Sequence, residues 1–162
     1  MNKEIAIRLA TRKDAALIES FIRKLATYED ALYRTTVTPE LVEEWLFDKQ
    51  KAEVAFAMID GKEAGFMLFY ECFVAFRGKP GMYIGELYID EEYRNMGCGD
   101  KLFKFLAQLG LERGYCRMEW CCFDWNERAK GFYKRRGAFK LEECGVYRLE
   151  EDGMREIIKK NE

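Results

Sequence analysis

The sequence predicts a mixed α/β fold, in which one sheet carries helices on its faces. Segments with alternating apolar residues, typical of strands, are interspersed with segments whose apolar residues recur at helical spacing. The predicted order is β-α-α-β-β-β-α-β-α-β, with no repeat, linker or low-complexity tract. The 162 residues fit a single domain over 1–162 with a sizeable core.

The N-terminal region supplies the first strand and helix. Residues 4–10 alternate and predict a strand. Thr11 and Asp14 resemble a capping box, although that motif prefers Glu or Gln at its acidic position. The apolar residues that follow, as far as Leu25, recur at helical spacing and predict one buried helix face.

The later elements are bounded by cap and turn signals. Thr38 and Pro39 suit an N-cap and a first helical position, and Asp60–Gly61 is a strong hairpin signal. The predicted elements are helices over 38–49, about 98–113, 126–137 and 154–160, and strands over 52–59, 63–76, 82–89, 114–123 and 138–150.

Composition narrows the function classes. A net charge of −2 argues against a protein that binds nucleic acid over a wide basic face. The chain has no His and no CxxC pair, so we expect no metal site. The absence of His also removes the usual base of Ser–His or Cys–His catalysis.

The six cysteines and the hydropathy pattern predict a cytoplasmic protein. Most of the cysteines lie in apolar runs, which predicts free, buried thiols in a reducing compartment. The N-terminus lacks the apolar stretch of a signal peptide, and no segment approaches the ~18 apolar residues of a membrane span. We therefore expect neither secretion nor membrane association.

A glycine-rich loop precedes the helix at about 98–113. Residues 94–99 read R-N-M-G-C-G, and glycine lets the backbone approach an anion closely. A helix N-terminus adds N–H donors and the positive end of the helix dipole. This pattern favours a diphosphate site with Arg94 at its mouth, although a glycine turn that only caps a helix fits equally well. It is not a Walker loop, because no GK[ST] follows.

The surrounding sequence resembles the GNAT N-acetyltransferases. An apolar strand ending in "ELYIDEEYR" leads into R-x-x-G-x-G and a helix, which is similar to the acetyl-CoA motif of that family. The segment "DWNERAKGFYKRRGAFK" (124–140) resembles the second family signature. Together with the early "KLATYE", these residues are most similar to the diamine (spermidine/spermine) acetyltransferases. The resemblance covers nearly the whole chain and implies a GNAT fold with a central, mostly antiparallel sheet.

The resemblance also implies the residues that bind acetyl-CoA. The pyrophosphate would lie on the loop backbone, the pantetheine arm along the preceding strand, and Asn126 beside the CoA arm; Asn126 can also be a helix cap. The basic run that contains Arg135 would bind the 3′-phosphate of CoA, or else is only solvated. The predicted cofactor-binding residues are Leu87, Tyr88, Ile89, Arg94, Asn95, Met96, Gly97, Cys98, Gly99, Asp100, Lys101, Asn126, Tyr133 and Arg135.

Two catalytic residues follow from the same resemblance. Tyr133 would donate a proton to the leaving CoA thiolate; without the family match it reads as a packed aromatic. The acceptor amine must lose a proton before it attacks, and relatives commonly use an acidic pair for this. Here that pair reads Gly85–Glu86, so Glu86 is the candidate base. The alternative is an outward-facing strand carboxylate.

The loop between the first two helices would line the acceptor site. Tyr28 and Glu29 are the predicted substrate-binding residues there, together with Glu86, since carboxylates suit a cationic amine. Solvated loop charge is the alternative.

The predicted function is transfer of an acetyl group from acetyl-CoA to a small primary amine, by direct attack in a ternary complex. A covalent acetyl-enzyme on Cys98 or Cys121 is not needed. The alternatives are a protein or antibiotic N-acetyltransferase and a non-catalytic acyl-CoA sensor. Relatives imply a homodimer.

Overall fold

A computed structural model describes residues 4–159. The helices are α1 (Ala15–Tyr28), α2 (Pro39–Val42, continued by a π-helix over Glu43–Asp48), α3 (Cys98–Glu112), α4 (Glu127–Lys134) and α5 (Glu151–Lys159). The strands are β1 (Ile5–Leu9), β2 (Glu53–Ile59), β3 (Lys62–Val74), β4 (Lys79–Ile89) and β5 (Met118–Trp120). The described residues form two compact units, 4–121 and 122–159.

The first unit contains the whole five-stranded sheet. Its order is β1-β2-β3-β4-β5, with antiparallel pairing from β1 to β4 and parallel pairing of β5 to β4. This confirms the predicted mixed, mostly antiparallel sheet. The turn between β2 and β3 is formed by Asp60 and Gly61, both at positive φ, as hairpin turns of this kind require.

Helices pack on both faces of this sheet. Phe21 of α1 stacks on Phe66 at 5.4 Å between ring centroids and contacts Phe56, which places α1 on one face. Met67, next to Phe66, projects to the opposite face, where α3 packs and buries Leu102 and Leu106 completely. The two apolar layers explain why α1 and α3 each carry a single apolar stripe.

Two predicted helix starts are confirmed. The backbone N–H of Thr11 donates to the Asp14 carboxylate at 2.7 Å within a capping box. The Thr38 hydroxyl accepts from the backbone N–H of Leu41 at 3.3 Å, with Pro39 at the first helical position. Helix caps can therefore be predicted from the sequence here, even though the capping box has Asp14 where Glu or Gln is usual.

The predicted strand over 138–150 is wrong. The structure has no strand there, and a turn closes between Leu141 and Cys144. The described part of the second unit contributes only helices α4 and α5, so this segment has no neighbouring strand in its own unit. The predicted strand over 114–123 shortens to β5, because Gly114 at positive φ first turns the chain out of α3.

The thiols are less buried than predicted. All six cysteines are free, but only Cys98 is buried. Cys72 and Cys122 are half-buried, and the other three are exposed. The prediction failed because several of these apolar runs, such as 121–123, do not become core strands. The predicted helix over 154–160 is confirmed by α5 as far as Lys159; residue 160 lies outside the described residues.

Candidate active site

A β-bulge at Gly85 interrupts β4. Leu68 of β3 lies opposite Glu86, whereas the next residue, Phe69, lies opposite Ile84. Gly85 therefore has no partner in the ladder, and glycine within a strand commonly marks such a bulge. The extra residue changes which side chains of β4 share a face.

The bulge gathers three polar side chains on one face of the sheet. Residues opposite each other in a pair of strands project to the same face. Glu86 therefore shares a face with Leu68, and Tyr83 shares a face with its partner Tyr70. Leu68 and Tyr70 are two residues apart, so all of these side chains project together. Leu68 packs against the core beneath α1, which identifies the face.

Two carboxylates meet on this face. Burial raises the pKa of Glu86 to about 7, and the negative charge of Glu29 adds to the effect. Burial also raises the pKa of Glu29, which Arg34 partly offsets. Glu29 is the cap residue of α1, so the end of that helix brings it to β4. The structure thus brings together two of the predicted substrate-binding residues, Glu29 and Glu86.

Tyr28 lies beside the start of the glycine loop. Its ring contacts Tyr88 edge to face at 6.5 Å, and the Arg94 guanidinium lies over both rings, at 5.1 and 5.6 Å from their centroids. Arg94 Nε also donates to the Ile89 carbonyl at 3.0 Å. In this structure the Arg94 side chain is held by the protein, so the loop backbone is the better candidate for anion contacts.

The glycine loop leads directly into α3, as the sequence predicted. Asn95 and Gly97 both adopt positive φ, of 64° and 96°, and α3 begins at Cys98. Gly97 is the N-cap and brings no side chain, while the first N–H groups of a helix have no partner within it. The loop and first turn hold the predicted residues from Arg94 to Lys101 in one continuous stretch.

Beyond the bulge, β4 has no strand partner on its β5 side among the strands of the first unit. β5 pairs with β4 at only three positions, the last of which joins Ile84 to Trp120. Leu87 and Tyr88, predicted to contact the cofactor through backbone, follow that last pair. An extended ligand arm can add to a strand edge through backbone hydrogen bonds.

Two residues on this face were missed by sequence reasoning. The rings of Tyr70 and Tyr83 stack at 5.3 Å between centroids, with 27° between their planes. Tyr83 Oη lies 2.9 Å from Cys121 Sγ. The glycine within a predicted strand was the available signal, because it indicates a bulge and thus a change of facing residues.

Cys98 and Cys121 do not have the surroundings of a nucleophilic cysteine. Cys98 is buried, and burial raises the pKa of its thiol. Cys121 makes its contact with a phenol rather than with a base or a cation. A reactive cysteine is usually held as a thiolate by a positive neighbour.

The remaining predicted site residues belong to the second unit. The Asn126 side chain accepts from the backbone N–H of Ala129 at 3.1 Å, so Asn126 is the N-cap of α4. Tyr133, on the same helix, contacts Phe132 edge to face at 5.5 Å. Arg135 is the C-cap residue. Their roles toward acetyl-CoA stay predictions.

Residues 4–159 lack two features that other classes of protein carry. They contain no group of three or more His, Cys, Asp or Glu side chains placed to hold a metal ion. None of their helices is both long enough and apolar enough to cross a membrane.

Comparison with known proteins establishes the family. The model of the Acetyltransferase (GNAT) family matches residues 17–138. The chain therefore belongs to the GNAT acetyltransferase family and is an N-acetyltransferase that uses acetyl-CoA.

Individual relatives agree with this assignment. The chain is 29% identical to thialysine N-epsilon-acetyltransferase of Bos taurus over 96% of this chain and 98% of that protein. It is 37% identical to L-ornithine N5-acetyltransferase of Arabidopsis thaliana over 60% of this chain, which spans only 43% of that relative. An integron cassette protein from the V. cholerae mobile metagenome has the same fold, with a TM-score of 0.80, 22% identity and coverage of 98% and 99%.

Proposed function

We propose that the chain acetylates the primary amine of a small cationic acceptor, such as a diamine, a polyamine or an amino acid with a side-chain amine. The amine attacks acetyl-CoA directly in a ternary complex. The observation that carries this proposal is the pair of carboxylates formed by Glu86, on the bulged face of β4, and Glu29, at the end of α1. It combines negative charge, which attracts a cation, with a base of unusually high pKa.

Glu86 is the proposed base. An alkylammonium group has a pKa of about 10, so it must give up a proton before the nitrogen can attack. An ordinary carboxylate is a weak acceptor for that proton. Burial and Glu29 raise the pKa of Glu86 to about 7, which makes it a stronger base of which about half is ionised at pH 7.

The loop and the β4 edge are the proposed acetyl-CoA site. N–H groups of the stretch from Arg94 to Lys101 would hold the pyrophosphate at the start of α3. The backbone of Leu87, Tyr88 and Ile89 would bond the pantetheine arm. N–H groups near Leu87 would also stabilise the negative charge that develops on the thioester oxygen.

Tyr133 is the proposed general acid, and Asn126 and Arg135 are proposed CoA contacts. Support comes from the family signature in which they lie. Tyr133→Phe should lower turnover by about 100-fold with little change in CoA affinity, since general acids contribute about that much or more. Tyr147→Phe, at an exposed tyrosine of the same unit as Tyr133, is the matched control. Unchanged turnover with weaker CoA binding would contradict the acid role.

The names of two relatives support the acceptor class. One gives thialysine N-epsilon and the other L-ornithine N5 as the position acetylated. Both names describe amines on small molecules, which agrees with a site built around two carboxylates. We infer the same class of acceptor here.

A cytoplasmic location and a homodimer complete the proposal. Six free thiols fit a reducing compartment. In the second unit a run of apolar side chains is exposed, and exposed apolar surface favours association. These side chains are Phe139, Leu141, Val146, Tyr147 and Leu149. Light scattering of the purified chain tests the assembly.

The decisive experiment is thiol release from acetyl-CoA against a panel of amines. The panel holds spermidine, spermine, putrescine, thialysine, ornithine, lysine, an aminoglycoside and a basic peptide. Turnover with one or more of the small diamines, polyamines or amino acids supports the proposal. Turnover with the peptide or aminoglycoside alone contradicts it. Tight CoA binding without turnover on any amine indicates a sensor instead.

A further inference from the structure

We propose that the stacked rings of Tyr70 and Tyr83 bind the second cationic group of a diamine acceptor while Glu86 faces the amine that is acetylated. This inference rests on the proposed function and deepens it. It predicts that the enzyme distinguishes acceptors by the charge at their far end, several ångströms from the reacting nitrogen.

The ring pair has the form of a cation-binding surface. Tyr70 and Tyr83 lie directly opposite each other on β3 and β4, and their rings stack at 5.3 Å. The face of an aromatic ring attracts a cation within about 6 Å of its centroid. Tyr70 is 38% exposed, so part of its ring remains accessible to a ligand.

The bulge places this surface beside Glu86. A Cβ at Gly85 would lie 3.6 Å from Cε1 of Tyr70 and 3.0 Å from Cδ2 of Leu68. The Tyr70 ring therefore lies over a position without a side chain, next to Glu86 in the chain. A larger side chain at position 85 would crowd Leu68 and the Tyr70 ring.

The spacing suits a short diamine. Tyr70 and Leu68 are two residues apart on β3, a separation of about 7 Å along a strand, and Leu68 lies opposite Glu86. The two nitrogens of 1,4-diaminobutane are joined by five bonds of about 1.5 Å each and span about 6 Å when extended. One nitrogen can thus face Glu86 while the other lies over the rings.

The surroundings keep the rings neutral and favour a cation. Burial raises the pKa of Tyr70, and the neighbouring Cys72, Cys121 and Glu86 add to the effect. Burial, followed by the contact with Cys121, also raises the pKa of Tyr83. Neutral phenols keep electron-rich ring faces, of which the outer face of the stacked pair is the one open to a cation, and the Glu86 carboxylate nearby disfavours an anionic ligand.

The test compares a diamine with a monoamine of equal length. We would measure kcat/KM by thiol release for 1,4-diaminobutane and for n-butylamine. The wild-type protein should prefer the diamine. Tyr70→Leu should lower this preference by about 2- to 30-fold, the range expected for a cation–π contact. Tyr70→Phe keeps the ring and should retain the preference within about 2-fold.

Phe73→Leu is the matched control. Phe73 also lies on β3 but is three residues from Tyr70, projects to the opposite face and is 73% exposed. Its loss should leave the preference unchanged. Tyr83→Leu provides a second test at the other ring, and thermal melts of each variant show that it is folded.

The outcomes separate this inference from the proposed function. A wild-type protein that does not prefer the diamine overturns the inference, as does an unchanged preference in both leucine variants. If no small amine is acetylated, the proposed function fails. Calorimetry of 1,4-diaminobutane with the CoA-loaded protein then decides the inference. Binding that Tyr70→Leu weakens and Phe73→Leu does not supports it, and absent or equal binding overturns it.

Discussion

Two groups of carboxylates in the first unit show opposite electrostatic designs. Asp14 and Glu63 both accept from Arg8 Nη2, at 2.8 and 2.7 Å. Glu29 and Glu86 instead have raised pKa values, mainly because both are partly buried, and the negative charge of Glu29 raises the pKa of Glu86 further. The first group holds elements together, whereas the second is the pair that we propose to bind the acceptor amine.

The Arg8 group is a structural connector. Arg8 joins β1 to the capping box through Asp14 and to β3 through Glu63, and its guanidinium lies 4.7 Å from the Phe56 ring centroid. Hydrogen bonds from Arg8 lower the pKa of Asp14 to about 2. A carboxylate satisfied in this way has little capacity left to accept a proton from a substrate.

In the Glu29–Glu86 pair, both pKa values are raised, so both carboxyl groups hold a proton more readily than an ordinary glutamate. A partly buried carboxylate beside another carboxylate is stabilised when a proton or a cation arrives. Strongly raised pKa values often mark functional sites for this reason. The comparison teaches that burial of a carboxylate is not informative alone; its partner decides whether it supports the fold or the reaction.

The largest expected effect comes from Glu86→Gln. Loss of the base should lower kcat/KM for the best amine by about 100-fold or more, the usual contribution of a general base. The variant should still bind CoA, because the proposed cofactor contacts are on the loop and the β4 backbone. Steady-state thiol release and CoA calorimetry measure both quantities.

Glu112→Gln is the control for this variant. Glu112 is an exposed carboxylate at the end of α3 that accepts from Gln108 at 2.9 Å. Its neutralisation should leave kcat/KM within about 2-fold, as expected for exposed positions remote from a reaction. A Glu86→Gln enzyme with full activity would remove Glu86 from the mechanism and leave water as the base.

Of the Arg8 group, the sequence predicted the capping box but not the contact between Arg8 and Glu63. The pairing of Thr11 with Asp14 is local, so a capping box was legible from a spacing of three residues. The bond from Arg8 to Glu63 joins residues 55 positions apart. No periodicity encodes that contact, because it depends on the register of β1, β2 and β3.

Glu86 and Tyr70 show the same limit at the site. Glu86 was found because the resemblance to a family pointed to its position. Tyr70 was missed, because its ring meets the site only through the bulge at Gly85, which sets the register between β3 and β4. The strand predicted at 138–150 failed for a related reason, since alternation does not supply a partner strand.

An intermediate effect is expected from Asp14→Asn. The change removes a charged acceptor of Arg8 and weakens the capping box, so it should lower the free energy of unfolding at pH 7 by about 1–3 kcal/mol. The pKa of Asp14 is lower in the folded protein than its ordinary value, so this stability is present at neutral pH and is lost as pH falls through about 2.

Urea unfolding at pH 7 measures this change, and kcat provides the contrast. The Arg8 group is structural, so kcat of the folded variant should stay near the wild-type value.

Glu86→Gln should lower activity but not stability. The pKa of Glu86 is raised to about 7, so its ionisation costs stability as pH rises from its ordinary value of 4.5 to about 7. The glutamine variant should therefore gain stability relative to wild type at pH 8 but not at pH 4. A gain at pH 4 alone would contradict the sign.

The smallest expected effect concerns Glu29→Gln. The pH profile of kcat/KM reports the pKa of the essential base in the free enzyme, so the wild-type activity should rise with pH to a plateau above about 7. Removing the Glu29 charge should move that midpoint to lower pH. Burial is the larger cause of the raised pKa of Glu86, so most of that rise should remain.

Asp30→Asn is the matched control, because Asp30 is the adjacent exposed carboxylate and its positive φ is one that asparagine tolerates. A midpoint that shifts equally in both variants would mean that Glu86 responds to the general charge of the loop. A shift confined to Glu29→Gln would identify the two carboxylates as a coupled pair.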